Sequence, residues 1–172
     1  MKHNKPGLFP RNCLKLLIPL LLALSSLTAL PKAYGQSSPQ SLPAGEPSVQ
    51  ELDKMLAIAG TKLDIVKVLI AQGRFDRVLP EMKGIFQVNL PDKYDELFTD
   101  AALVVTKLLV DQSQYEVAHK VLDEALLRVK ANADKARLLQ CKAGIFKLEG
   151  KLDKALAAWQ QALEYIKKQI QQ

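Results

Sequence analysis

The sequence predicts an all-α chain built from a recurring pair of helices, and three observations carry that prediction. From residue 48 onward the apolar positions recur at intervals of three and four, the period of a helix. Chain-breaking residues gather between those stripes, at Gly73, at Asn89 to Pro91, at Gln112 and Ser113, at Asn132 and at Gly150. The pattern around Gly150 also repeats that around Ser113, 37 residues earlier. The breakers divide the chain into about six helices of 12 to 20 residues.

Each element has its own signal. The first opens on Ser48 with Glu51 three residues on, a capping box. Its stripe is Leu52, Met55, Leu56, Ala59, Leu63, Val66 and Ile70; Gly60 either interrupts it or lies within one helix from about 49 to 72. The second carries Phe75, Val78, Met82, Ile85 and Phe86, and Pro80 inside it predicts a kink or a late start. The third holds Leu97, Ala101, Val105 and Leu108, and the fourth Ala118, Leu122, Ala125 and Leu126. In the fifth lie Leu138, Leu139, Ala143 and Phe146, and in the sixth Leu152, Ala155, Trp159, Ala162 and Leu163.

Ahead of the helices, residues 1–35 read as a secretory signal peptide. Lys2, Lys5, Arg11 and Lys15 precede an apolar run from Leu16 to Leu30, and Ala33 and Gly35 form a small-residue cleavage site. Cleavage is expected after Gly35, with Ala33 as the second choice. Fifteen residues, interrupted by Pro19, Ser25, Ser26 and Thr28, are shorter than the roughly 20 apolar residues of a membrane span. No cysteine lies just after the run, as a lipoprotein needs, and no arginine pair precedes it, as twin-arginine export needs. The expectation is an exported protein, periplasmic or secreted; an uncleaved anchor in the inner membrane is the alternative. Residues 36–47, QSSPQSLPAGEP, are too polar and too rich in serine and proline to pack, and read as a flexible linker. The helical domain is 48–172.

The leader distorts the charge. It holds five of the 24 basic residues and none of the 18 acidic ones, so the other 137 residues carry a net +1. The basic balance therefore belongs to targeting and offers no case for a nucleic-acid partner. Charge is nonetheless split along the chain: residues 36–129 hold 10 basic and 14 acidic residues, residues 130–172 nine and four. The basic C-terminal part suits an acidic partner or peripheral association with an anionic membrane surface, and equally a solvated polar face.

The offsets in the last two units agree position by position. Gly150 is followed by Leu152, Ala155, Trp159, Ala162 and Leu163, and Ser113 by Tyr115, Ala118, Leu122, Ala125 and Leu126. Gly73, Phe75, Val78, Met82, Ile85 and Phe86 make a weaker third copy. These residues resemble the tetratricopeptide repeat (TPR), with small residues inside both helices, a turn glycine, an aromatic soon after it and a late alanine. The three units run over about 59–92, 99–132 and 136–169, or about 110 of the 137 mature residues. The match is good in the last unit, fair in the middle one and poor in the first. Ser113 departs at the turn, Leu152 at the aromatic, and Val78 and Pro80 in the first unit, which could be a degenerate cap. The spacings of 40 and 37 residues exceed the usual repeat of about 34.

The resemblance implies stacked antiparallel helix hairpins in a short right-handed superhelix. Ala143 and Ala155 would let a pair nest, Gly150 would reverse the chain, and Trp159 and Leu163 would fill the gap to a neighbour. It also implies a groove lined by the first helix of each pair: Leu63, Lys67 and Ile70 in the first, Asp100, Leu103, Lys107 and Val110 in the middle, and Arg137, Gln140, Gly144 and Lys147 in the last. Such a groove suits an extended or helical peptide with some acidic residues. The asparagines that clamp a terminal carboxylate in this family are missing at these positions.

No catalytic constellation competes with that reading. His119 and Cys141 are the sole histidine and cysteine after residue 35, so no metal cage of nitrogen and sulfur ligands is expected. His119, beside Lys120, reads as a solvated surface residue. Asp95 with Glu96, and Asp123 with Glu124, are adjacent and so about 100° apart around a helix, which reads as surface charge and not as an acid–base pair. Cys141 reads as a small core hydrophobe, or alternatively as the seat of an intermolecular disulfide. No phosphate loop, dinucleotide fingerprint or nucleophile elbow occurs. The expected function is non-catalytic binding of a peptide or protein, with no cofactor. A structural subunit of a cell-envelope complex is the alternative, and an enzyme of unadvertised chemistry comes third.

Overall fold

The computed structural model describes residues 47–171. The expected signal segment 1–35, its expected cleavage site and all of the expected linker except Pro47 lie outside the described residues. Within them the regular structure is helical: α1 (Val49–Ala71), α2 (Val78–Phe86), α3 (Asp95–Asp111), α4 (Tyr115–Arg128), α5 (Asn132–Leu148) and α6 (Leu152–Ile170). Short 3-10 turns, Phe75–Arg77 and Asp92–Tyr94, precede α2 and α3. The capping box is formed: the Ser48 hydroxyl accepts from the Glu51 N–H while a Glu51 carboxylate oxygen accepts from the Ser48 N–H. Gly60 does not interrupt α1. Pro80 sits in the first turn of a late-starting α2, where its missing N–H would have had no helical partner.

Three turns share one geometry. Gly73, Ser113 and Gly150 have φ of 71°, 60° and 76°, the left-handed conformation that ends a helix. In each, the N–H of the next residue donates to the carbonyl five residues back: Arg74 to Leu69 (2.9 Å), Gln114 to Leu109 (2.8 Å) and Lys151 to Phe146 (2.8 Å). This doubly bonded cap aligns residue 73 with 113 and 150, and confirms the 40- and 37-residue offsets in three dimensions. Ser113 carries a Cβ where its counterparts carry none, at roughly 1–2 kcal/mol for the left-handed conformation. Ser113→Gly is therefore expected to stabilise the domain by roughly 0.5–1 kcal/mol after the extra freedom of the unfolded glycine is deducted, read as a higher urea midpoint at unchanged slope.

Consecutive helices pack as pairs, α1 with α2, α3 with α4 and α5 with α6. Helix α3 also lies against α1, α5 rests on both α3 and α4, and α2 meets α4. The main core forms between the first two pairs, around Val66, Val78, Met82, Ile85, Phe98, Val105, Leu109 and Leu122, with Leu138 and Ile145 added from α5. Helix α6 is held differently. Its buried residues are Ala155, Ala158 and Ala162, which face α5 beside Ala136, Leu139 and Ala143. Small side chains let the two backbones approach, and Ala143 and Ala155 are both fully buried. Trp159 and Leu163, expected to fill a gap to a neighbour, remain 41% and 49% exposed.

One polar cluster joins the pairs. Asp95, read from the sequence as surface charge, is only 2% exposed. Its carboxylate accepts from the Arg128 guanidinium (3.1 Å) and from the backbone N–H of Lys130 (2.5 Å) and Ala131 (3.4 Å). Arg128 also donates to the Leu90 carbonyl (2.9 Å) and lies 4.3 Å over the Phe98 ring. Asp95 thus ties the connection before α3 to the connection before α5, 35 residues away. The connection before α5 holds the N–H groups of Lys130 and Ala131, which the carboxylate accepts, while Arg128 answers the Leu90 carbonyl in the connection before α3.

Candidate functional site

The alignment of the turns places the expected groove residues in rows across α1, α3 and α5. Leu63, Leu103 and Gln140 form one row; the two leucines are half-buried on the core and Gln140 is exposed. Lys67, Lys107 and Gly144 form the next, with both lysines exposed. Ile70 and Val110 are buried core residues, whereas Lys147 at the equivalent place in α5 is exposed. The face is therefore narrower than expected: Ile70 and Val110 are turned inward, away from any ligand.

Lys67 bonds Asp64 (2.9 Å) one turn back on α1, and Lys107 bonds Asp111 (2.8 Å) one turn on along α3. Two other expected contact residues meet each other. Arg137 on α5 donates to Asp100 on α3 (2.6 Å) and lies near Asp134 (3.4 Å) and Glu96 (3.8 Å). Burial pulls the Arg137 guanidinium down, but the hydrogen bond to Asp100 and the surrounding carboxylates outweigh it and hold it above its ordinary value. Asp100 and Arg137 thus cross-link neighbouring pairs, and a ligand would meet them as a cluster.

His119 corrects the expectation of a solvated side chain. It is largely covered, its ring stacked 4.2 Å from Phe146 of α5, and its Nε2 lies 2.7 Å from a Glu149 carboxylate oxygen at the end of the same helix. Glu149 also accepts from Lys151 (2.6 Å). Burial pushes the Glu149 carboxyl up, and the hydrogen bonds from Lys151 and His119 reverse this and leave it below the usual carboxylate range. The His119 Nδ1 is buried without a partner among the described residues. The pair could not be found from the sequence because its members lie 30 residues apart and meet only when α5 lies on α4.

Neither a known family, nor a curated protein, nor a solved structure matches the chain. No group of three or more histidine, cysteine or acidic residues among the described residues could hold a metal ion, and no described helix is long and apolar enough to cross a membrane. Cys141 is half-buried against the core from α5.

Two open depressions lie away from the expected groove. One is largely apolar and sits on α1, lined by Thr61, Asp64, Ile65, Val68 and Leu69. The other lies between the ends of α2 and α4, lined by Lys83, Phe86, Gln87, Glu124, Leu127 and Arg128.

Proposed function

We propose that the chain is an exported, non-catalytic interaction module of TPR-like architecture, a right-handed superhelix of about three helix pairs. It binds a peptide or protein bearing acidic residues across α1, α3 and α5. The observation that carries this reading is the ladder of Lys67 and Lys107, exposed at equivalent places one pair apart and footed on the half-buried Leu63 and Leu103. Each lysine is engaged by a carboxylate of its own helix alone. Such exposed pairs are worth about 0.3–0.5 kcal/mol, so a partner's carboxylate can displace them at little cost. Lys147 extends the positive edge onto α5.

A second reading, a structural part of a cell-envelope assembly, draws on the apolar rows that α1 and α6 leave open, Ile58, Ile65 and Val68 on one and Leu152, Leu156, Trp159 and Leu163 on the other. Crosslinking of the protein in its native cell, followed by mass spectrometry, separates the two. The groove reading expects links to one partner from Lys67, Lys107 and Lys147, and loss of that partner in the Lys67→Glu, Lys107→Glu, Lys147→Glu triple variant at unchanged helical circular dichroism. Links concentrated on Lys154 and Lys168, with the triple variant still bound, would favour the structural reading and discard the groove.

A further inference from the structure

We infer that α6 pairs antiparallel with α6 of a second copy, so that the chain forms a two-fold dimer. This does not depend on the face across α1, α3 and α5. Helix α6 packs chiefly on α5, through Ala155, Ala158 and Ala162. About a quarter-turn round the helix lies a second apolar row, Leu152, Leu156, Trp159, Leu163, Ile166 and Ile170. Its intervals are 4, 3, 4, 3 and 4 residues, a heptad repeat kept without a break from the first residue of α6 to the last. Ile166 is half-buried, and the others stand open, from 41% exposed at Trp159 to 80% at Ile170. A helix that merely faces a core carries a broader stripe; a strict heptad row is the seam of a coiled coil. Repeat arrays ordinarily close with a polar outer face, and this one ends on the seam instead.

The flanks of the row select its occupant. One flank, with Ala155 and Ala162, is covered by α5. The other carries Asp153, Gln160 and Lys167, each one residue on from a row member and seven apart. In an antiparallel pair Trp159 layers against the partner's Leu163, Leu156 against the partner's Ile166 and Leu152 against the partner's Ile170, so every row residue meets an apolar one. The same register sets Asp153 beside the partner's Lys167, twice by symmetry, and Gln160 beside the partner's Gln160. A parallel pair would instead turn Gln160 and Lys167 toward the partner's Ala155 and Ala162, where α5 already lies. With three basic and two acidic residues, α6 meets little repulsion from its own copy. Lys167 is held by Glu164 of its own helix (3.0 Å), an exposed pair that exchanges at little cost. Helix α1 offers no matching seam: its open row of Ile58, Ile65 and Val68 is broken by Thr61 and runs on into Lys54 and Glu51.

Sedimentation of the full chain, under reducing conditions and from about 1 to about 300 μM, covers the weak end of specific interfaces. The average mass is expected to climb to that of a dimer and stop, because a two-fold contact uses the same surface on both copies. Trp159→Asp, at an exposed site, should remain monomeric with unchanged circular dichroism, and Leu156→Asp replaces it if it fails to fold. Two further variants test the register. Asp153→Lys and Lys167→Asp each oppose like charges at both flank contacts, and each should associate about ten-fold more weakly than the wild type. Mixed in equal amounts they should regain the wild-type affinity, because unlike charges then meet at both contacts. A wild-type chain monomeric throughout, a mass that passes the dimer, a Trp159→Asp variant that still pairs, or a mixture no tighter than its components would each overturn the inference.

Discussion

Asp95→Ala lowers the stability of the domain by about 3 kcal/mol, the scale of breaking a buried ion pair by removing one member. The loss has three sources. Arg128, with its side chain 18% exposed, keeps its charge without a counter-ion, and the N–H groups of Lys130 and Ala131 lose their acceptor in the connection between α4 and α5. Asp95→Asn retains an oxygen acceptor and removes the charge, so it is expected to cost about half as much. In a domain of this size the alanine variant should melt roughly 10 °C lower. Thermal and urea unfolding of both variants measure the effect. Equal and small losses would mean that the carboxylate contributes neither charge nor hydrogen bonds to the fold.

Ala155→Leu is expected to detach α6 while leaving the rest folded. Ala155 is fully buried, and the space across from it is filled by α5, where Ala143 is also fully buried. Three extra carbons cannot fit between backbones brought together by alanines, and overpacking of this kind costs about 2 kcal/mol. The penalty stays local because α6 packs chiefly on α5 and contributes none of the buried residues of the main core. Amide protons of α6 should therefore exchange roughly 30-fold faster, while those of α3 hold their protection. Uniform acceleration across all helices would show instead that α6 is an integral part of one cooperative unit.

Much of the architecture was legible from the residues because it rests on local chemistry. Helical stripes follow from the spacing of apolar side chains, and the caps from Ser48 with Glu51 and from glycines at Gly73 and Gly150. Ser113 was recognisable as a turn only through its repeat partners, since serine carries no signal for a left-handed backbone. The polar residues were read less well. Asp95 looks like half of a surface pair with Glu96, because its neighbours in sequence say nothing of Arg128, 33 residues on. His119 and Glu149 were missed for the same reason. Of the residues expected to line a groove, Lys67, Lys107 and Lys147 are exposed, whereas Ile70 and Val110 serve the core and Asp100 is engaged by Arg137.

By itself the sequence determined that the chain is helical, where its helices turn, and that the turns recur. Those properties depend on contacts within a few residues: hydrogen bonds of a helix, the apolar period, the conformation tolerated at a cap. Which faces remain open depends on how the helices pack. Leu122 and Trp159 hold the same place in two copies of one pattern, yet the first is fully buried and the second stands exposed. No local signal separates them, because burial depends on whether another helix arrives, and that is settled by packing between distant parts of the chain or between chains.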